Sequence, residues 1–118
     1  MTGYASQIAD RRTASTSPYP FETDYISGDG LTFAATTASA SQLVAQRGNQ
    51  LVISNVGDNW AHVRWGDAAV VATTASQAIP PGSQLVFSLG TFDLPALYVA
   101  ARSAASTTTL QVSRGWGV

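Results

Sequence analysis

From Leu31 onward the chain consists of short apolar runs separated by turn residues, a pattern typical of strands in sandwiches and barrels. The segments between the runs are shorter than the dozen or more residues that a crossover between parallel strands needs. The sequence therefore predicts an all-β fold, either an antiparallel β-sandwich or a jelly-roll-like barrel. The predicted strands are residues 31–36, 42–46, 50–56, 60–65, 69–73, 84–89, 96–101 and 107–113.

Turn residues and composition support this interpretation. The runs RGN at 47–49 and GDN at 57–59 predict two tight hairpins, and IPPGS at 79–83 places prolines of fixed φ before a glycine. Glu22 is the sole glutamate and lysine is absent, so the chain has few of the long polar residues that favour helices and solvate their exposed faces. Helices are not expected to carry the fold.

Residues 1–30 are predicted to form an extended arm, and residues 31–118 the β-domain. Pro18 and Pro20 favour extended backbone at the residues that precede them. The arm is too apolar for a solvated tail, whose usual signature is low hydrophobicity. We therefore expect it to pack on its own domain or on a neighbour. The candidate partner-binding residues of the arm are Arg11, Arg12, Tyr19, Phe21 and Tyr25.

The stretch NWAHVRWGD at 59–67 gathers the only histidine, an arginine, two tryptophans and an aspartate. Because side chains alternate along a strand, His62 and Arg64 share an exposed face with Trp60, while Val63 and Trp65 enter the core. One histidine falls below the ligand count of a metal site, and the chain has no G-x-S-x-G nucleophile motif. The stretch predicts an amphipathic strand with no catalytic or metal site.

Three aromatic residues are candidates for surface contacts. Trp60 and Trp116 remain after Trp65 is assigned to the core. Phe92, in the run GTFDLP at 90–95, either plugs one end of the sandwich or contacts a saccharide together with Asp93.

Charge and composition exclude several classes of function. The net charge is −1 and the six basic residues are arginines scattered along the chain, so nucleic-acid binding is not expected. The absence of cysteine excludes disulfides and thiolate metal sites, and no cofactor is expected. No stretch has the length of a signal peptide or of a membrane span, so we expect a protein that is neither membrane-bound nor secreted by a classical signal.

Residues 43–117 resemble a recurring β-module of small virion proteins of tailed bacteriophages, among them head-decoration or cement proteins. The resemblance rests on structural signatures of strands and turns. They are Asn55-Val56-Gly57, Val63-Arg64-Trp65-Gly66, Ile79-Pro80-Pro81-Gly82-Ser83 and Thr109-Leu110-Gln111-Val112.

The resemblance implies a non-enzymatic structural protein that decorates the outside of the assembled phage head. Such a protein binds the major capsid protein, bridges neighbouring capsid subunits and forms a homo-oligomer, here a dimer or a trimer. It is made in the host cytoplasm and ends on the virion. A receptor- or carbohydrate-binding module of a tail or fibre is the alternative, and a hydrolase that depends on His62 is a third hypothesis.

Overall fold

A computed structural model describes residues 22–89 and 96–117 of the chain as an all-β protein. Within these residues there is no helix that is long and apolar enough to cross a membrane. The strands of the described residues are β1 Glu22–Thr23, β2 Leu31–Ala35, β3 Ala40–Val44, β4 Gln50–Asn55, β5 Ala61–Gly66, β6 Gln77–Ile79, β7 Gln84–Ser88, β8 Leu97–Ser103 and β9 Thr108–Trp116.

The strands form two antiparallel sheets that pack as a sandwich. In the front sheet β9 pairs with β4, and β4 pairs with β7, while β2 and β1 follow one another along the other edge of β9. The back sheet has the order β3, β8, β5, β6. The predicted fold class is confirmed.

Side chains that alternate along the strands fill the space between the sheets. Trp65 of β5 meets Phe87 of β7 across this space, with ring centroids 4.8 Å apart. The largest fully buried apolar side chains are Phe33, Leu51, Ile53, Val63, Ile79, Leu97, Val99, Leu110 and Val112.

Consecutive strands change sheets at nearly every connection. The chain passes from β2 in the front sheet to β3 in the back, then to β4 in the front and β5 in the back. The predicted hairpins at 47–49 and 57–59 are therefore wrong, because both segments connect strands of different sheets. Turn residues at these positions reverse the chain direction, but they do not determine which strand becomes the neighbour.

Residues 69–73 were predicted as a strand and instead form part of a loop that runs from residue 67 to 76. Polar side chains hold its turns, since Asp67 Oδ1 accepts a bond from Ala69 N at 2.9 Å and Ser76 Oγ accepts one from Thr73 N at 3.0 Å. Ala72 N donates to Ser39 Oγ, and Ala72 is buried. Ala100, on the outward side of β8, is also fully buried, so we infer that the loop packs across the outer face of the back sheet.

Asn55, at the end of β4, is buried and uses its whole side-chain amide. Its Nδ2 donates to Asn59 O at 2.8 Å and to Ile79 O at 2.9 Å. Its Oδ1 accepts from Gly57 N at 3.1 Å and from the Thr108 hydroxyl at 2.8 Å. One residue thus joins the ends of β4 and β6, the start of β9 and the connection to β5.

The backbone of Asn55 holds the turn at 79–83 as well. Asn55 N donates to Ser83 O at 2.9 Å, and Gly82 N donates to Asn55 O at 2.8 Å. Gly82 has φ 76°, a left-handed conformation that glycine adopts without steric cost, and the Ser83 hydroxyl bonds back to Pro80 O at 2.6 Å. This turn carries the chain from β6 in the back sheet to β7 in the front sheet.

The opposite end of the sandwich is fixed by a second buried polar pair. Gln46 is fully buried, and its Oε1 accepts from Arg114 N at 2.9 Å while its Nε2 donates to Gly28 O at 3.2 Å. The Arg114 side chain is also buried, and its Nε donates to Gly48 O at 2.8 Å. A Cβ at residue 48 would collide with the backbone of Gly115, so only glycine fits there.

Replacing Asn55 by alanine is expected to destabilise the fold by more than about 3 kcal/mol. The substitution leaves two carbonyls, one N–H and one hydroxyl without their partner, and each unsatisfied buried group costs about 1–3 kcal/mol. The free energy of unfolding from urea titration measures the loss. Asn59→Ala is the matched control, because the Asn59 side-chain amide donates to an exposed carbonyl, that of Thr107, and its removal should cost less than about 1 kcal/mol. Equal losses in the two variants would contradict the role of Asn55.

Candidate binding surfaces

Trp60 and Trp116, two of the predicted contact residues, lie at opposite ends of the sandwich. Trp60 precedes β5, and its carbonyl accepts a bond from Ala104 N, directly after the end of β8. Trp116 is the last residue of β9, in register with Glu22. Since nine strand residues span about 27 Å, the two rings do not share a saccharide site, although they are 50% and 56% exposed.

Five of the predicted site residues lie outside the described residues. They are Arg11, Arg12, Tyr19, Phe21 and Phe92. Tyr25, the remaining predicted residue of the arm, is described and is 69% exposed.

The described part of the predicted arm, residues 22–30, is attached to the sandwich. Glu22 and Thr23 pair with the end of β9, and Asp24 N donates to Arg114 O at 3.1 Å. Asp24 Oδ2 accepts from Arg47 N at 2.8 Å. The pKa of Asp24 is lowered below its ordinary value of 3.8. The main cause is a hydrogen bond from the Ser27 side chain, and the second is the hydrogen bond from the Arg47 N–H.

His62 is half-buried rather than exposed as predicted, because the loop at 67–76 lies against it. The Nδ1 atom of His62 is 3.4 Å from Ser76 O, and His62 lies directly opposite Arg102 of β8 in the sheet. In the described part of the chain, no group of three or more histidine, aspartate and glutamate residues is placed to hold a metal ion. The stretch NWAHVRWGD thus supplies an amphipathic strand, as the alternation predicted for Val63, which is buried, and for Arg64, which is exposed.

The outward face of the front sheet is uncharged. Strand pairing aligns Thr32, Gln111, Ser54 and Gln84 in one row across β2, β9, β4 and β7. We call the outward positions of these four strands the neutral face. Its residues are Thr32, Ala34, Gln50, Val52, Ser54, Gln84, Val86, Ser88, Thr109, Gln111 and Ser113.

Tyr25 borders the neutral face. Together with Thr32, Gln111 and Ser113 it lines a shallow cleft of about 200 Å³ where β1 ends and β2 begins. The structure therefore brings one predicted arm residue to a surface that the sequence did not identify. Every outward position of these strands is uncharged in the sequence. These positions can be recognised as one continuous surface only when the order of the strands in the sheet is known.

A second candidate surface surrounds Trp65. This residue was assigned to the core, and its ring does pack against the core and Phe87, but it remains partly exposed. With Arg64, Asp67, Val70 and other loop residues it lines a cleft of about 530 Å³. An adjoining cleft of about 250 Å³ shares Arg64 and Trp65. We call these two volumes the Trp65 cleft.

Comparison with protein-family models, with curated protein sequences and with solved structures finds no match to this chain.

Replacing Trp65 by alanine is expected to cost about 3 kcal/mol, the lower end of the range for deleting a large buried aromatic, because the ring is only partly buried. Trp60→Ala is the matched control, and its half-exposed ring should cost less than about 1 kcal/mol. Urea unfolding of both variants measures the difference. A larger loss at Trp60 than at Trp65 would mean that the two faces of β5 are assigned the wrong way round.

The contribution of Asp24 to stability should depend on pH. Its pKa is lower in the folded chain than in the unfolded chain, so its stabilisation is present above the unfolded value of 3.8 and is lost as the pH falls through the folded value. Asp24→Asn should therefore lower the urea midpoint at neutral pH and have little effect at a pH well below 3.8. Asp58→Asn, in an exposed turn, is the control for the loss of one negative charge. An effect of Asp24→Asn that is the same at both pH values would contradict this account.

Proposed function

We propose that this chain is a non-enzymatic structural protein of a tailed-phage virion, which attaches to the outer surface of the assembled capsid and bridges neighbouring subunits of the major capsid protein. The observation that carries the proposal is the neutral face, an uncharged surface of hydroxyl, amide and small apolar side chains. The resemblance of residues 43–117 to phage decoration modules points to the same class of protein.

A face without charges suits binding to a large protein surface. Burying an ionised side chain costs several kcal/mol unless it is paired with an opposite charge. Burying a hydroxyl or amide group costs less free energy, and such a group can bond to backbone or side-chain groups of many kinds. The row Thr32, Gln111, Ser54 and Gln84 offers such donors and acceptors across the sheet. The chain can thus pack against a capsid subunit without a matching pattern of charges.

The size of the face limits the affinity of one copy. Four strands about 4.8 Å apart and about five residues long give roughly 300 Å², whereas a stable interface buries about 800 Å² on each partner. A single face is therefore expected to bind weakly. An oligomer that engages several equivalent capsid sites gains strength through effective concentration, and a capsid repeats its surface many times.

The surroundings of His62 support a non-enzymatic function. The ring nitrogen meets a backbone carbonyl, that of Ser76, and the cross-strand neighbour is Arg102, which cannot orient a catalytic imidazole as a carboxylate does.

A charge placed in the centre of the neutral face should abolish attachment to capsids. Gln111→Lys introduces one cation there, and burying it against the capsid costs several kcal/mol. Co-sedimentation with assembled shells, compared with free capsid subunits, measures binding. We expect the unmodified chain to pellet with shells and not to bind free subunits, and Gln111→Lys to remain in the supernatant.

Gln42→Lys is the matched control, because it is the same change on an exposed strand position of the back sheet. It should bind shells as the unmodified chain does. If Gln111→Lys also binds fully, the neutral face is not the attachment surface. If the unmodified chain binds no assembled shell and instead binds saccharides on a glycan array, the proposed function is wrong.

A further inference from the structure

Among the described residues, one edge of the back sheet is left open beside the Trp65 cleft. β6 pairs only with the first half of β5, Ala61–Val63. The loop from residue 67 leaves the sheet for its outer face, so no described strand covers the edge from Arg64 to Gly66 on that side. An open edge presents backbone N–H and C=O groups that can pair with another extended chain.

The backbone of Trp65 points to this open edge. In an antiparallel sheet the residues of one strand bond alternately to its two neighbours. Trp60 O accepts from Ala104 N on the β8 side, so the even-numbered residues of β5 face β8 and the odd-numbered residues face β6. Ala61 and Val63 lie opposite Ile79 and Gln77 of β6. Trp65 is the next odd-numbered residue, and no described strand lies opposite it.

We propose that the open edge at Trp65 binds residues 19–21 of a second copy of this chain, which add to the back sheet as a short strand. The sequence Ser17-Pro18-Tyr19-Pro20-Phe21 fits such an edge. In an extended chain the side chains of Tyr19 and Phe21 point to one face, and their backbone N–H and C=O groups point to one edge. The side chains of Pro18 and Pro20 point to the opposite face, and their carbonyls point to the opposite edge. The prolines, which lack an N–H, then fall where no bond to β5 is needed.

The cleft matches the side chains of this segment. A residue directly opposite Trp65 carries its side chain on the same face of the sheet as the Trp65 ring. There it would meet Trp65 and Phe87, whose ring centroids lie 4.8 Å apart. Val63 and Trp65 line the adjoining volume of the Trp65 cleft beside β6, so an aromatic residue finds apolar side chains next to the backbone edge.

Chain connectivity makes the donor a second copy. Phe21 precedes Glu22, which pairs with β9 at the edge of the front sheet opposite to β7. β7, whose Phe87 meets Trp65, lies three strands away, about 14 Å, and the second sheet adds roughly 10 Å of depth. Tyr19 is three residues from Glu22 and reaches at most about 11 Å, so the segment cannot reach the Trp65 cleft of its own chain.

The inference is independent of the proposed function, because it concerns association of this chain with itself. The test is sedimentation velocity of the full chain over a range of concentrations. We expect a reversible oligomer, and we expect Phe21→Ser to weaken its association by about tenfold to hundredfold, as the loss of one buried aromatic side chain predicts. Ile26→Ser is the matched control, since Ile26 is a 99% exposed apolar residue of the neighbouring segment, and it should not change the association.

A synthetic peptide of residues 15–22 provides a second measurement on the unmodified chain. The peptide should compete with the arm and dissociate the oligomer, and the same peptide with N-methylated Phe21 should fail, because it lacks the N–H that pairs with Trp65. A chain that is monomeric at about 100 μM would overturn the proposal. So would equal association of Phe21→Ser and the unmodified chain, or equal competition by the two peptides.

Discussion

The arrangement of both sheets depends on the amide of Asn55. A sandwich in which the chain changes sheets at nearly every connection leaves backbone groups at the strand ends without a ladder partner, and buried groups of this kind must be satisfied. An amide offers two donors and an acceptor with two lone pairs, and Asn55 uses all of them between both sheets. A hydroxyl or a carboxylate could not bond two carbonyls and two donors at once. The amide therefore links the connection to β5, the end of β6 and the start of β9 at one point.

At the other end of the sandwich, the side chains of Arg114 and Gln46 satisfy the buried backbone groups. Arg114 occupies a core-facing position of β9, where an apolar residue is the usual choice. Its Nε bonds the carbonyl of Gly48, and its own N–H is satisfied by Gln46, whose amide also reaches Gly28. These bonds connect β9 to the segment after β3 and to the segment before β2. The N-terminal segment from Glu22 is thus part of the folded unit at this end.

Much of the fold could be predicted from the sequence because alternation is a local property. The faces of β5 followed from the spacing of Trp60, Val63 and Trp65, and seven of the eight predicted strands overlap observed ones. The prediction at 69–73 failed because Val70 and Val71 have the composition of a strand, while the side chains of Asp67 and Ser76 close turns around them. β6 was missed because three residues before two prolines give no periodic signal.

The candidate surfaces were less predictable, since they depend on which strands are neighbours. Each strand of the neutral face has unremarkable polar residues by itself, and only the pairing of Gln111 with Thr32 and Ser54 produces a continuous uncharged row. In the described part of the chain the edge at Trp65 is open because β6 extends only to Gln77, a boundary that no residue pattern marks. The sequence predicts Trp65 as a core residue and gives no sign that it lies beside a sheet edge. Alternation specifies which face of a strand a residue occupies, but it does not specify how far the neighbouring strand extends.

The two proposed contacts use surfaces that do not compete. The neutral face belongs to the outside of the front sheet, and the Trp65 cleft lies at the β6 edge of the back sheet. A copy whose cleft holds a neighbour's arm therefore keeps its neutral face free, and its own arm can occupy the next copy. Each face of roughly 300 Å² is too small for tight binding alone. Linking two or three faces through exchanged arms raises the effective concentration of the second and third contacts, with gains that reach 10²–10⁴ when the spacing of the sites matches. Attachment to a shell would then depend on the arm through its contact with a second copy of the chain.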